Sequence, residues 1–453
     1  MTSRRIRSAG AVLALVAVWA SPMAAAVTPP TVDEARLPPA RPPAPRTATE
    51  QTEACPVDLP TGDDAVSLPH AGDLEALWQL TRGAGQTVAV IDTGVARHRL
   101  LPHLLPGGDY VSTGDGTQDC DGHGTIVAGL IGAAPADASG STFGGLAPDA
   151  SIIAIRQSSN VFRPSDSPTG SGVGDVDTLA MAVRTAADAG ASVINISSVA
   201  CVAAEEGIDD RSLGAALAYA VDVKNAVVVA AAGNVGGPGR CPEQNPPPDP
   251  ARPGQPGWDT VKVVVSPAWY DDYVLTVGSV DRQGRPSSFT LAGPWVDVAA
   301  PGEAVVSLDP GGEGLIDHVP GSTDPVPISG TSYSAPVVSG LAALVRARSP
   351  QLTARQVMRR IEDTAHHPSA GWDPWVGHGV IDALAAVSGD GSRPAMPSTP
   401  APPERASRDD AQADTGSRRV AYVGAAACVA AATAAMTLSA GPLRRRRESV
   451  TPD

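Results

Sequence analysis

Short apolar runs recur along the chain, and segments with helical spacing separate them. The apolar runs lie at residues 87–91, 152–155, 193–196, 227–231 and 274–280. Because their residues are apolar throughout and do not alternate with polar ones, they are typical of strands buried on both faces. Between them, apolar residues at helical spacing fill 176–189 and 212–223. This repetition of strand and helix predicts an α/β fold with a mainly parallel sheet between layers of helices.

The functional groups of such a sheet collect at the carboxyl ends of its strands. Asp92 comes directly after the first apolar run, in the sequence Val-Ile-Asp-Thr-Gly at 90–94. A carboxylate in this position can hold and orient a catalytic histidine. An Asp-Thr-Gly triplet is also common in simple turns, so Asp92 by itself is only a candidate.

His123 is the histidine best suited to meet Asp92. It lies in Asp-Gly-His-Gly-Thr at 121–125, immediately before the apolar helical run 126–131. In the first turn of a helix it can present one ring nitrogen to a nucleophile and the other to Asp92. Gly-His-Gly recurs around His378 without the following threonine, and we interpret His378 as part of a structural turn. The other histidines are expected at the solvated surface: His70, His98, His103, His318, His366 and His367.

Ser332 lies in the longest of these motifs, Gly-Thr-Ser-Tyr-Ser-Ala-Pro at 330–336, ahead of an amphipathic run. Pro336 fits the opening turn of a helix, where no internal hydrogen bond is lost. We therefore expect the Ser332 hydroxyl at the positive end of a helix, where a backbone N–H can stabilise an oxyanion. A plain helix cap formed by Thr331 or Ser334 is the alternative.

Asn234 ends the sequence Val-Ala-Ala-Ala-Gly-Asn at 229–234, again just past an apolar run. Its side-chain amide can donate the second hydrogen bond to an oxyanion. Two long segments rich in Gly, Pro, Ser and Asp, 158–174 and 234–259, are interpreted as surface insertions that shape a substrate groove.

The amino-terminal end carries a targeting feature. Arginines, an apolar run at 9–20 and small residues up to Ala26 are typical of a secretory signal peptide over residues 1–26. The run is too short to cross the ~30 Å hydrocarbon core of a bilayer. Residues 27–72 form a proline-rich N-terminal extension, and the composition of 27–46 predicts an extended leader that cannot bury a core.

The folded domain is expected at 73–387, and a proline-rich linker at 388–419 follows it. Residues 420–443 carry no charge and are long enough for one transmembrane helix, and four arginines come next. Since positive charge stays on the cytoplasmic side, we expect the domain outside the membrane and a cytoplasmic basic tail at 444–453. A buried, alanine-rich soluble helix is the alternative for the apolar segment.

Charge and cysteine content exclude some classes of function. The formal net charge of −15 argues against nucleic acid as a partner, because a phosphate-binding surface needs clustered Lys and Arg. Without a His-Glu-x-x-His segment, the chain does not match the main metallopeptidase pattern. Of the five cysteines, Cys428 lies in the proposed span. The other four are predicted in an oxidising compartment, which suggests two disulfides with three possible pairings.

Taken together, the segments around Asp92, His123, Asn234 and Ser332 resemble the subtilase (S8) family of serine proteases over residues 73–387. The sequence at 377–383 resembles the closing segment of that domain. The resemblance implies a subtilisin-like three-layer fold and a Ser-His-Asp triad. It also implies a substrate-binding pocket lined by Ser197, Ser198, Val199 and Gly233.

The chain departs from many subtilisins in two respects. Ser198 and Val199 stand where glycines often line the primary specificity pocket, so we predict a narrow pocket that favours small side chains. The calcium sites of many secreted subtilisins find no match. We therefore expect neither a metal nor another cofactor in the chemistry.

The signal peptide, the short leader, the cysteine just upstream of His123 and the C-terminal anchor resemble mycosins, the subtilisin-like proteases of actinobacterial type VII secretion. This resemblance implies a membrane-anchored, extracytoplasmic serine endopeptidase that cleaves proteins exported by that system. Its partners would be those substrates, the membrane and the membrane components of the secretion channel. Locality and the resemblance favour the pairings Cys55–Cys120 and Cys201–Cys241. The alternative function is a structural component that stabilises the secretion complex, with proteolysis secondary.

Overall fold

The computed structural model describes residues 27–55, 71–138, 141–167, 172–237, 240–247, 249, 251, 256–319 and 326–389. The signal peptide, the linker from residue 390 onward, the transmembrane helix and the basic tail expected from the sequence lie outside these residues. Within the described ranges, no helix has both the length and the hydropathy needed to cross a bilayer.

The secondary structure alternates between strands and helices for most of its length. The strands are β1 (Thr49–Gln51), β2 (Thr87–Asp92), β3 (Leu104–Asp109), β4 (Ala136–Ala138), β5 (Ser141–Phe143), β6 (Ser151–Arg156), β7 (Phe162–Pro164), β8 (Val193–Ile196), β9 (Ala200–Ala203), β10 (Val227–Ala231), β11 (Val263–Ser266), β12 (Leu275–Val280), β13 (Val298–Pro301), β14 (Ser307–Leu308) and β15 (Leu315–Ile316). The helices are α1 (Ala71–Leu80), α2 (His123–Gly132), α3 (Val176–Asp188), α4 (Arg211–Ala218), α5 (Thr331–Arg348), α6 (Ala354–Thr364) and α7 (Ala383–Ser388), with short 3₁₀ turns at Glu34–Arg36 and Trp258–Thr260.

The largest sheet of the described residues has seven parallel strands in the order β13-β12-β10-β8-β2-β6-β3. Its five inner strands are the five apolar runs of the sequence, and their side chains are almost all buried. The outer strands lack that signal, because β3 contains a proline and two glycines and β13 has only four residues. The predicted α/β fold with a mainly parallel sheet is confirmed.

Two pairs of helices pack on this sheet. Helix α5 contacts β8, β10, β12 and β13 and also packs against α2, whereas α3 contacts β2, β6 and β8 and packs against α4. Helix α3 follows a capping box in which the Asp175 carboxylate accepts a hydrogen bond from the Thr178 N–H. The second predicted helix is present as α4, which continues into a π-helical turn at Tyr219–Val223.

The N-terminal extension lies against the folded domain. Strand β1 pairs antiparallel with β7, and Arg46 forms an ion pair with Asp177 at 2.9 Å. Val32 and Leu37 pack against the main hydrophobic core. The leader therefore packs on apolar surface that the neighbouring domain supplies and that its own composition lacks.

A second, smaller hydrophobic cluster lies behind the antiparallel pair β9–β11 and includes Cys241 and Leu291. Cys201 of β9 forms a disulfide with Cys241, with an Sγ–Sγ distance of 2.00 Å, and Cys55 forms one with Cys120 at 2.13 Å. These are the two sequential pairings expected. One bond joins the N-terminal extension to the loop before α2, and the other joins the 234–259 insertion to β9.

Candidate active site

Asp92 and His123 meet where β2 ends and α2 begins. The Asp92 side chain is fully buried, and its Oδ1 accepts hydrogen bonds of 2.7 Å from the Thr93 N–H and from Nδ1 of His123. Its Oδ2 is buried without a hydrogen-bond partner among the described residues. His123 is the first residue of α2, and its side chain remains 26% exposed. The pair can therefore pass a proton between the imidazole and a group bound at the surface.

Glycines allow the two segments to come this close. A Cβ atom on Gly124 would lie 1.9 Å from the carbonyl oxygen of Gly94, and one on Gly94 would lie 2.0 Å from the carbonyl oxygen of Gln118. Any larger residue at either position would push β2 and α2 apart. The glycines that flank the aspartate and histidine motifs are thus needed for the contact between them.

Asp119 connects the same two segments, and the sequence analysis did not single it out. Its buried carboxylate accepts four hydrogen bonds of 2.7–2.8 Å, from the Thr93 hydroxyl, the Gly122 N–H and both the N–H and hydroxyl of Thr125. Burial raises the pKa of Asp119 to about 6, and these hydrogen bonds oppose the rise, so the carboxylate is mostly ionised at neutral pH. An aspartate four residues before a helix-starting histidine was the available signal, because carboxylates stabilise helix N-termini.

The protonation of His123 is set by opposing effects. Burial alone lowers the pKa of the imidazole, but the charge and hydrogen bond of Asp92 outweigh it, with smaller contributions from Asp119 and Asp121. The pKa of His123 therefore lies above its ordinary value of 6.5. An imidazolium that forms during a reaction is stabilised by the same charges.

Ser332 is the second residue of α5, and its hydroxyl donates a 3.1 Å hydrogen bond to the carbonyl oxygen of Ser197. Among the described residues, no hydrogen bond joins Ser332 to His123. The N–H of Ser332 belongs to the first turn, where helices leave N–H groups without an internal acceptor. In this structure Asp92 is thus hydrogen-bonded to His123, whereas the hydroxyl of Ser332, the candidate nucleophile, is hydrogen-bonded to the Ser197 carbonyl.

Pro336 lies inside α5, which begins at Thr331, and not in its opening turn as expected. Proline has no N–H to donate to the carbonyl four residues earlier, which is that of Ser332. The Ser197 hydroxyl donates to this carbonyl at 2.8 Å and replaces the missing hydrogen bond. Ser197 in turn accepts a 3.0 Å hydrogen bond from Nδ2 of the buried Asn195. This chain fixes the start of α5 relative to the end of β8.

Asn234 follows Gly233 at the end of β10 and faces the start of α5. Its Oδ1 accepts hydrogen bonds from the N–H and the hydroxyl of Thr331, at 3.0 and 3.3 Å. Among the described residues, Nδ2 of Asn234 has no hydrogen-bond acceptor. Asn234 is thus attached to the first residue of α5, directly before Ser332, and its role as an oxyanion donor stays a prediction.

The residues expected to line a specificity pocket follow two neighbouring strands, β8 and β10. Ser197, Ser198 and Val199 directly precede β9, and Val199 packs against both hydrophobic clusters. Gly233 has a positive φ of 99°, and a Cβ atom there would lie 3.0 Å from Sγ of Cys241. The Cys201–Cys241 disulfide thus packs closely against Gly233. That these residues line a pocket, and that the pocket is narrow, stay predictions.

Tyr333 is a further residue at the site that the sequence analysis did not identify. Its ring is almost completely buried, and its centroid lies 5.3 Å from that of the His123 imidazole, at an angle of 45°. Aromatic rings attract a cation placed over or beside their faces. Tyr333 therefore shields His123 from water on one side and also contacts the ring that takes up the proton.

Two other histidines are His378, which was predicted in a structural turn, and His98, which was predicted at the solvated surface. The N–H of His378 donates to the Asp297 carbonyl at 2.6 Å, and a Cβ atom on Gly377 would lie 2.1 Å from the same carbonyl group. This close backbone contact supports the interpretation of His378 as part of a structural turn. His98, expected at the surface, is instead buried, and its imidazole bonds the Gly314 carbonyl oxygen at 3.1 Å. Its two backbone partners compensate for the burial.

Comparisons with known proteins identify the family of the chain. The profile of the subtilase family matches residues 83–379. Mycosin-4 of Mycobacterium tuberculosis is 56% identical over 462 aligned positions, which cover 100% of both chains.

Solved structures share the fold at substantial sequence identity. The structure of the MycP3 protease from the type VII (ESX-3) secretion system is 47% identical and superposes with a TM-score of 0.73, covering 80% of this chain and 100% of that one. A chain of an intact ESX-5 inner membrane complex is 42% identical, with a TM-score of 0.75 and coverage of 91% and 100%. The chain therefore belongs to the subtilase family of serine proteases and, within that family, to the mycosins.

Proposed function

We propose that the chain hydrolyses peptide bonds in proteins exported by a type VII secretion system, with Asp92, His123 and Ser332 as its catalytic triad. The observation that carries the proposal is the 2.7 Å hydrogen bond between Asp92 Oδ1 and His123 Nδ1, formed beside the helix that bears Ser332. The names of the related structures support the link to this secretion route.

The proton path follows from the geometry of the acid and the base. Because Asp92 accepts the Nδ1 proton of His123, Nε2 is left as the proton acceptor. The Ser332 hydroxyl turns from the Ser197 carbonyl to Nε2, which exchanges one hydrogen bond of about 1 kcal/mol net for another. As Oγ attacks the peptide carbonyl carbon, its proton passes to Nε2 and then to the leaving amine. Water repeats these steps on the acyl-enzyme and restores the serine.

Two donors stabilise the negative oxygen that forms during each attack. We assign this role to Nδ2 of Asn234 and the N–H of Ser332. The Ser197–Val199 segment and Gly233 would hold the side chain that precedes the cleaved bond. No metal or other cofactor takes part in this scheme.

We further propose that the domain is held outside the cytoplasm by the segments predicted from the sequence. These are the signal peptide 1–26, the linker 388–419, one transmembrane helix at 420–443 and the cytoplasmic tail 444–453. The similarity to a chain of an inner membrane complex over 91% of this sequence supports this arrangement. After carbonate extraction of membranes, the full-length chain is expected in the pellet and a chain ending at residue 419 in the supernatant. Release of the full-length chain would contradict the anchor.

A second candidate function is structural, and the membership of a relative in the ESX-5 inner membrane complex favours it. In this role the folded domain stabilises the secretion complex, and proteolysis is secondary.

One experiment tests the proposal and separates it from the alternative. Secreted proteins from wild-type, Ser332→Ala and deletion cells are compared by mass spectrometry. If proteolysis of exported proteins is the function, Ser332→Ala cells accumulate uncut forms of specific exported proteins. If secretion fails only in the deletion strain and no cleavage product differs, the structural function holds and the proteolytic one is refuted.

A further inference from the structure

Arg240 places a positive charge beside Asn234. It lies in the 234–259 insertion, and its side chain is exposed. Its Nη1 donates a 3.3 Å hydrogen bond to the Val235 carbonyl oxygen, and its guanidinium carbon lies 5.8 Å from the centroid of the Phe289 ring. These two contacts hold the guanidinium over the segment that follows the proposed oxyanion donor.

The loop that carries Arg240 is fixed at both of its ends. The N–H of Cys241 donates to the Asn234 carbonyl at 2.8 Å, and the N–H of Val235 donates to the Phe289 carbonyl at 2.8 Å. The Cys201–Cys241 disulfide then ties the residue after Arg240 to β9. Hydrogen bonds and a disulfide therefore fix the backbone on either side of Arg240.

Arg240 differs from most basic residues of the described chain in having no carboxylate partner. Many described arginines form ion pairs, as Arg82 does with Asp149 and Arg156 does with Asp109. Within the described ranges, Arg240 forms none. An unpaired guanidinium next to a reaction centre is free to bind an anionic group of a substrate.

The charge of Arg240 also acts on Tyr333, the aromatic residue beside His123. Burial and the charges of Asp92 and Asp119 raise the pKa of the Tyr333 phenol, and the positive charge of Arg240 opposes them. The Tyr333 ring in turn contacts the His123 imidazole, which places Arg240 on the same side of the domain as the proposed triad.

We propose that Arg240 selects substrates with an aspartate or glutamate close to the scissile bond. The inference rests on the proposed function, and it adds a substrate class to it, namely acidic peptide segments. A guanidinium binds a carboxylate through two parallel hydrogen bonds, which lysine cannot reproduce. An exposed ion pair of this kind changes an equilibrium by about two- to five-fold.

The test uses full-length wild-type protein, Arg240→Ala, Arg240→Glu and a control, Arg348→Ala. Arg348 is exposed in the last turn of α5, sixteen residues after Ser332 and so about 24 Å away along the helix axis. Peptide pairs carry Glu or Gln at each of the two positions on either side of the cleaved bond, and kcat/KM is measured at low salt.

Wild type and Arg348→Ala are expected to prefer Glu over Gln by about two- to five-fold at one fixed position. In Arg240→Ala this ratio falls to about one, and in Arg240→Glu it drops below one. Fluorophosphonate labelling, which does not depend on the peptide side chains, is measured on all four proteins. Normal labelling with no Glu preference in wild type, or with the same preference in Arg240→Ala, overturns this inference alone. If wild type is not labelled, the triad is refuted and the inference falls with it.

Discussion

At the junction of β2 and α2, Asp92 and His123 are already joined by a 2.7 Å hydrogen bond, whereas at the start of α5 the Ser332 hydroxyl still bonds the Ser197 carbonyl. The first region is held by the buried carboxylate of Asp119 and by close backbone contacts. In the second region the Ser197 hydroxyl fixes the start of α5, and only the Ser332 hydroxyl has to turn, about its Cα–Cβ bond. The base is thus pre-positioned, and the nucleophile completes the relay by turning.

This difference has a physical basis in where each side chain is attached. Asp92 ends a buried strand, so its position is determined by the sheet, and Asp119 adds four hydrogen bonds around it. Ser332 lies in the first turn of α5, and its carbonyl oxygen receives no helical hydrogen bond because Pro336 has no N–H. The Ser197 hydroxyl donates to this carbonyl instead. We expect loss of the Asp119 carboxylate to lower stability, and loss of the Ser332 hydroxyl to affect catalysis with little change in stability.

The largest effect is expected for Asp92→Asn. The amide leaves the geometry intact but favours the wrong imidazole tautomer, so kcat should fall on the order of 10⁴-fold, as for the corresponding change in a trypsin-like triad. Asp92 also raises the pKa of His123, so its loss should lower that pKa. The residual activity of the variant should therefore persist to lower pH than the activity of wild type. Steady-state kinetics between pH 5 and 9 measure both effects; wild-type kcat/KM must decline as pH falls through a pKa above 6.5. Unchanged kcat in the variant would refute the role of Asp92.

Asn234→Ala is expected to lower kcat by about 10²- to 10³-fold with little change in KM, the range known for the oxyanion asparagine of subtilisin. The donor acts on the charge of the transition state and not on the bound substrate. Asn234→Asp is the matched variant, because it keeps the oxygen that accepts from Thr331 and removes the donor. A variant of either kind with normal kcat would show that the oxyanion is stabilised elsewhere.

Asp119→Asn sharpens the difference in stability between the two regions. Replacing one acceptor oxygen by an N–H donor leaves a buried N–H or hydroxyl unpaired, so the free energy of unfolding should fall by about 2 kcal/mol. Asp115 is a loop residue whose carboxylate accepts a hydrogen bond from Thr117 and is much less buried. Asp115→Asn should change the free energy of unfolding by less than about 0.5 kcal/mol. Urea unfolding followed by fluorescence makes the comparison. Equal effects of the two substitutions would mean that Asp119 does not hold β2 and α2 together.

Tyr333→Leu should have the smallest effect. Loss of the ring beside His123 removes a cation–π contact of about 0.5–1 kcal/mol, so the acid limb of kcat/KM should move to lower pH by about half a pH unit. Tyr333→Phe keeps the ring and should leave the limb unchanged. If both variants shift the limb equally, the hydroxyl and not the ring is responsible.

The sequence was informative wherever a pattern is local. All five inner strands are continuous apolar runs, and Asp92, His123, Asn234 and Ser332 each follow a strand or begin a helix within a short motif. Asp119 was missed although its contacts with Gly122 and Thr125 are local, but other missed contacts join residues far apart in the chain. Ser197 bonds Ser332 across 135 positions, and this depends on register and on which segments the sheet brings together.

The N-terminal extension is a second case in which a contact between distant segments could not be predicted from the sequence. Its composition correctly indicates that it builds no core of its own, yet strand pairing of β1 with β7 and the Cys55–Cys120 bond attach it to a domain that has one. Hydropathy describes a segment in isolation, and a partner surface is not encoded in that segment.

The central claim, that Asp92, His123 and Ser332 form one relay, is tested most directly by mapping the site of fluorophosphonate modification with peptide mass spectrometry. The account predicts a single adduct on Ser332, with a labelling rate that rises with pH through the His123 pKa and is lost in His123→Ala. An adduct on another residue, or a Ser332 labelling rate that is the same in wild type and His123→Ala, would contradict it.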